Sequence, residues 1–130
     1  MSRRILQIIL AMIALLAIIT GLVGIITGIT NEFYSISNVK ANVLLDSNLR
    51  YFSGLWLGLG LIIFWIIRSI EKQKIVLRLI FVMIFIGGIG RVFSMINVGI
   101  PPTLYIIFTF LEICSPILIF WQNKIAKSYT

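Results

Sequence analysis

The sequence predicts an all-α integral membrane protein: a four-helix bundle forming a single membrane domain over residues 1–130, with both termini cytoplasmic. Three observations predict it. First, 60% of the residues are hydrophobic and only 12% charged, with mean hydropathy +1.11. Soluble domains run roughly half apolar and about a quarter charged, so this chain has too few charges to coat a water-facing surface. Second, the apolar residues gather into four stretches, each close to the ~20 residues a helix needs to cross a hydrocarbon core of about 30 Å. Strands would need a closed barrel with alternating polarity, and no such alternation is present. Third, the basic residues are placed asymmetrically between the stretches.

Helix one is expected at about 5–29, where Ile5 to Ile29 runs without a charge. Ser2-Arg3-Arg4 before an apolar run hints at a twin-arginine signal. Signal cores are about 7–15 residues long and end at a small-x-small site. This run is longer, and Thr27 to Asn31 is a poor site, so it reads as a span.

An outer loop follows, 30–48. Within it Phe33, Ile36, Val39 and Val43 recur at three- and four-residue steps. That spacing suits a short amphipathic helix on the outer surface, either a lid or an interfacial float. Helix two is expected at 49–68, with Asp46 to Asn48 as N-cap residues. Arg50 then falls in the first turn, an unfavourable place for a cation. Asp46, Glu112 or an anionic ligand should compensate it. Helix three is expected at 75–97, interrupted by Arg78 and Arg91. Helix four is expected at 103–122, interrupted by Glu112.

Arg3, Arg4, Arg68, Lys72, Lys74, Arg78, Lys124 and Lys127 all fall on one side of these spans, eight of the 11 basic residues. Lysine and arginine bias in short loops sets orientation, which puts both termini in the cytoplasm. The net charge of +7 thereby has a topological explanation. A nucleic-acid partner would instead need a basic folded face with aromatic platforms. Small four-helix multidrug antiporters carry one membrane glutamate in helix one. Those of the dual-topology kind also have weak charge bias. A strong bias with the glutamate in helix four fits them poorly.

There is no histidine, which removes His-based haem or zinc ligation and a Ser-His-Asp relay. The one cysteine, Cys114, allows no intrachain disulfide and no Cys-x-x-Cys pair, and reads as a small packing residue. No phosphate-cradling glycine loop is present. No catalytic residue, metal or cofactor is assigned.

Small residues recur at helical spacing: Thr20, Gly24 and Gly28 in helix one; Gly54 and Gly58 in helix two; Gly87, Gly90 and Ser94 in helix three. Such strips let membrane helices approach closely. They serve packing within the bundle, a homo-oligomer contact, or both. Trp56, Trp65, Trp121, Tyr51 and Tyr105 read as interfacial anchors.

Arg91 stands six residues before Asn97, roughly 9 Å below the outer end of helix three. Glu112 stands eight residues after Leu104, about 12 Å into helix four from the same side. The two should meet, because an unpaired charge within the membrane costs on the order of 3 kcal/mol. A bidentate guanidinium–carboxylate contact is the expected geometry. Asp46, Asn48, Arg50, Ser53, Ser94, Asn97, Tyr105 and Thr109 gather on the same outer side. Together they would form an outward-opening polar pocket with two arginines and a local positive surplus. One reading is a structural Arg91–Glu112 strut. The other is a site for an anionic headgroup, its apolar tail along Trp56, Phe93 and Phe108.

Asn48-Leu49-Arg50-Tyr51-Phe52-Ser53-Gly54, Gly87-Gly88-Ile89-Gly90-Arg91-Val92-Phe93-Ser94, Gly99-Ile100-Pro101 and Leu111-Glu112 follow one another in a recognisable order. That order resembles the small bacterial membrane proteins of the domain-of-unknown-function four-three-four-five family, over roughly Asp46 to Trp121. The resemblance implies a four-helix inner-membrane protein without an established activity, linked to envelope integrity, with Arg50, Arg91 and Glu112 as its marked positions.

The expected function is therefore a non-enzymatic protein of the bacterial inner membrane. Its expected partners are membrane lipids and a lipid-like or anionic ligand bound from the periplasmic side. A homo-oligomeric scaffold or accessory subunit is the alternative. An enzyme using Glu112 as acid or base, and proton-coupled transport through Glu112, rank below both.

Overall fold

A computed structural model describes residues 3–30 and 42–127, and every regular element among them is helical. Helix α1 is Arg3–Thr27, closed by a 3-10 turn at Gly28–Thr30. Helix α2 is Val43–Ile66, closed by a second 3-10 turn at Ile67–Ser69. Helix α3 is Lys74–Asn97, α4 is Thr103–Cys114 and α5 is Pro116–Lys127. Four stretches are long and apolar enough to cross a membrane: Arg3–Thr30, Val43–Ser69, Lys74–Asn97 and Thr103–Lys127. Large apolar side chains stay exposed along them, Trp65 at 70% and Phe120 at 73% among them. Exposed apolar surface on this scale marks a membrane or protein contact.

Two boundaries differ from the sequence reading. Helix α2 starts at Val43, not near residue 49. Its N-cap is Asn42, whose side chain accepts from the Leu44 N–H at 2.8 Å, while the Asp46 N–H already donates to the Asn42 carbonyl. Asp46 to Asn48 therefore lie inside the helix. The nearest cap-type residues to the apolar run were not the ones that cap it. The outer helix expected within 30–48 falls mostly on residues 31–41, outside the described residues.

The second difference is the fourth stretch, which is two helices. Pro116 has no N–H to give the Glu112 carbonyl, so the Ser115 N–H takes that carbonyl at 3.2 Å and the turn tightens. The buried Ser115 hydroxyl donates to the Phe81 carbonyl of α3 at 3.3 Å.

Contacts divide the chain into two compact units. The first, Gln7–Arg68, is an antiparallel pair of α1 and α2. A Cβ on Gly21 would stand 2.8 Å from the Leu57 backbone nitrogen, and one on Gly60 would stand 3.0 Å from the Ala14 carbonyl. The backbones therefore touch at glycines. Gly24 faces Ser53 in the same seam, whereas a Cβ on Gly58 would meet nothing within 4 Å. The helix-one strip thus packs within the chain, Gly24 against Ser53 and Thr20 against Trp56, while Gly60 of α2 packs on Ala14, Ala17 and Ile18. The Trp56 indole N–H donates to the Thr20 hydroxyl at 3.0 Å, and the Gln7 amide donates to the Ile67 carbonyl at 2.8 Å.

The second unit holds residues up to Leu6 and from Ser69 onward. In it α3 packs on α4 and α5. At one end Arg3 pairs with Glu71 at 3.2 Å, and Arg78 donates to the Asn123 side-chain oxygen at 2.7 Å. The fully buried Gln122 donates to the Ile70 carbonyl at 2.6 Å.

Candidate functional site

Gly88 sets the site in the second unit. Without a Cβ it lets α4 come close: one built there would stand 2.9 Å from the Glu112 Cβ and 3.2 Å from the Ile113 side chain. Arg91 lies three residues further along α3, a neighbouring position on that face. The close approach therefore sets Glu112 opposite Arg91. The Arg91 Nε donates to Glu112 Oε1 at 3.2 Å and lies 2.9 Å from Oε2. The Arg91 side chain is 40% exposed and that of Glu112 17%.

The ion pair expected from the sequence is present, with a different geometry. Glu112 engages Nε alone. The two terminal amino groups, Nη1 and Nη2, make no hydrogen bond among the described residues. The guanidinium carbon stands 5.6 Å from the centroid of the Tyr105 ring, within cation–π range. Tyr105 is steadied in turn by an edge-to-face contact with Phe108, centroids 6.5 Å apart.

Beside this pair runs a groove of about 200 Å³ lined by Arg91, Ser94, Met95, Gly99, Pro101, Tyr105 and Thr109. Gly99 holds φ +130°, a backbone state that side chains disfavour, so it turns the α3–α4 connection and leaves the groove wall bare. A serine or threonine hydroxyl inside a helix can fold back onto the carbonyl one turn earlier. Thr20, Thr27, Ser53 and Thr109 all do so. Ser94 does not, and neither its hydroxyl nor that of Tyr105 has a hydrogen-bond partner among the described residues. The groove therefore presents a guanidinium fork and two hydroxyls, a set rich in donors. Chemically, such a set suits an acceptor, above all the oxygens of a phosphate or carboxylate.

Arg50 and Asp46 form a separate cluster in the first unit. Arg50 Nε donates to Asp46 Oδ2 at 2.7 Å, and Nη1 donates to the Ile25 and Ile26 carbonyls at 2.6 and 3.0 Å. Asp46 Oδ1 accepts from the Ile29 N–H at 2.9 Å. Gly28, at φ +52°, is pressed against the same carboxylate. Arg50 is thus not in a first turn, as the sequence suggested. Because α2 starts at Val43, Arg50 lies in the second turn and reaches across to the carbonyl end of α1. A cation is favourable there, as is an acid in the first turn of α2. Compensation comes from Asp46.

Each arginine accordingly has its own carboxylate, which removes the surplus positive charge inferred from the sequence. Ser94 and Tyr105 join Arg91 and Glu112. Asn48 is exposed, and Ser53 is turned into the α1–α2 seam, so neither belongs to a donor cluster. Trp56 donates to Thr20 within the first unit. Nothing in the sequence hints at the Ile25 and Ile26 carbonyls or the Ile29 N–H, because backbone groups carry no residue signature. Helical spacing singles out Gly87, Gly90 and Ser94 on helix three, whereas the contact glycine is Gly88, which that spacing skips.

The family described as "Domain of unknown function (DUF4345)" matches residues 5–122, nearly the whole chain, and the chain belongs to it. No curated protein and no solved structure matches the sequence.

Proposed function

We propose that this member of the DUF4345 family is a four-span protein of the bacterial inner membrane that binds a lipid-like anionic ligand without transforming it. The strong basic bias supports cytoplasmic termini, and it puts the α3–α4 connection on the periplasmic side. The observation that carries the reading is the groove beside Arg91, with its free guanidinium fork and two free hydroxyls. Helix α3 has 24 residues, about 36 Å of rise against a core of about 30 Å. Arg91 then lies roughly 6 Å inside the apolar boundary, within snorkelling reach of lipid headgroups. Phe93 and Ile96, both exposed, offer an adjacent apolar track for a tail. Support of envelope function is the role such binding would serve.

The test is native mass spectrometry of the detergent-released protein, wild type beside Arg91→Ala. A discrete adduct is expected on wild type and absent from Arg91→Ala, both remaining folded by circular dichroism. A bare wild-type mass, with an Arg91→Ala that fails to fold, would make Arg91 a strut. The second reading, a homo-oligomeric scaffold, is favoured by Gly87 and Gly90, where a Cβ would meet nothing within 4 Å. The same spectrum would show it as a multiple of the 14.7 kDa chain.

A further inference from the structure

We infer that the Arg91 groove selects a singly charged phosphodiester, the linkage inside a glycerophospholipid headgroup, over a doubly charged phosphomonoester. The inference rests on the binding reading above and names the chemistry that the groove takes.

The argument starts from charge. Arg91 is the only charged side chain lining the groove among the described residues, and Glu112 already neutralises it at 2.9 Å. The site therefore offers directed donors with almost no net charge. The cost of bringing a charge out of water grows with the square of that charge, whereas its attraction to the pair grows only linearly. Glu112 cancels part of that attraction. One negative charge can be carried by the fork of Nη1 and Nη2. A second finds no counter-charge. A phosphomonoester carries about −1.5 to −2 near neutral pH, a diester close to −1.

Geometry agrees. Glu112 holds the Nε edge of the guanidinium, and the Tyr105 ring covers one face. The edge that remains is the Nη1–Nη2 edge, which matches two oxygens of one phosphate. The Ser94 and Tyr105 hydroxyls supply donors for further oxygens. A diester leaves the groove by two ester links, so it needs an open end. Gly99, bare of side chain, and the exposed Val98 and Ile100 provide an open, apolar mouth.

The experiment places the full chain in nanodiscs or detergent and reads retained lipid by native mass spectrometry. The lipids are phosphatidylglycerol, phosphatidylethanolamine and phosphatidate with matched acyl chains. Wild type is expected to retain both diesters about tenfold better than phosphatidate. Glu112→Gln, which leaves Arg91 uncompensated, is expected to erase most of that preference by raising phosphatidate retention. Should Glu112→Gln fail to fold, Ser94→Ala and Tyr105→Phe keep the test alive. Each removes one free hydroxyl and no hydrogen bond of the fold, and each should lower diester retention about fivefold. Excess dimethyl phosphate, a tail-less diester, is expected not to displace the lipid. Displacement at concentrations comparable to lipid would assign the groove to a free phosphodiester and overturn the lipid as its source. If wild type retains no lipid of any class, the binding reading itself falls. If it holds phosphatidate as tightly as the diesters, or the hydroxyl variants bind like wild type, only the phosphodiester inference falls.

Discussion

Gly28 is held at φ +52° with Asp46 pressed against its Cα, a positive φ and a close contact that no other glycine of the chain combines. Gly28→Ala would place a methyl group in the left-handed region and drive it into the carboxylate that binds Arg50. The expected loss is about 1–3 kcal/mol, read as a lower midpoint of thermal unfolding in detergent. A midpoint equal to wild type would mean that the Asp46–Arg50 clamp yields freely. At Arg91 the residue scale bears on the proposed binding as well as on stability. The sequence made an Arg91–Glu112 pair legible, because two opposite charges at matching depth in lipid must find each other. It could not say which edge of the guanidinium Glu112 would take. A bidentate pair through the terminal nitrogens would have occupied the end-on fork. Engagement through Nε leaves the fork free.

Among the helices, the glycine run of α3 separates into two roles. Gly88 faces α4, and Gly88→Ala would force a Cβ to within 2.9 Å of that of Glu112. Overpacking of this kind costs about 1–3 kcal/mol and should spread α3 from α4, lowering ligand retention together with stability. Gly87→Ala meets open space and should be neutral or stabilising by about 0.5–1 kcal/mol, because alanine loses less freedom in a helix. Equal effects of the two substitutions would contradict this division. Sequence spacing singled out Gly87, Gly90 and Ser94 and passed over Gly88, since which face meets a neighbour depends on helix rotation. The break at Pro116 was legible in principle, from a proline inside an apolar run. Even so, an uninterrupted span fits the hydropathy equally well. The start of α2 was misplaced for a similar reason: Asn42, Asp46 and Asn48 all have capping side chains, and only the Leu44 N–H bond to Asn42 chooses among them.

Across the whole chain, four stretches are long and apolar enough to cross a membrane. The orientation proposed from their lysine and arginine placement is open to direct test. In a Cys114→Ser background, Val98→Cys, in the α3–α4 connection, should react with a membrane-impermeant maleimide on spheroplasts. Lys72→Cys, between α2 and α3, should react only after lysis. The opposite pattern would invert the topology and put the groove on the cytoplasmic side.

The sequence by itself determined the helical class, the four apolar stretches, the family and the pairing of Arg91 with Glu112. Composition and the cost of a buried charge act whatever the detailed packing. Only the tertiary structure decided that Arg50 belongs to Asp46 and the carbonyl end of α1, that Gly88 is the contact glycine, and that Ser94, Tyr105 and two nitrogens of Arg91 have no hydrogen-bond partner among the described residues around one groove. Those outcomes depend on helix rotation and on backbone hydrogen bonds, and no residue type announces either.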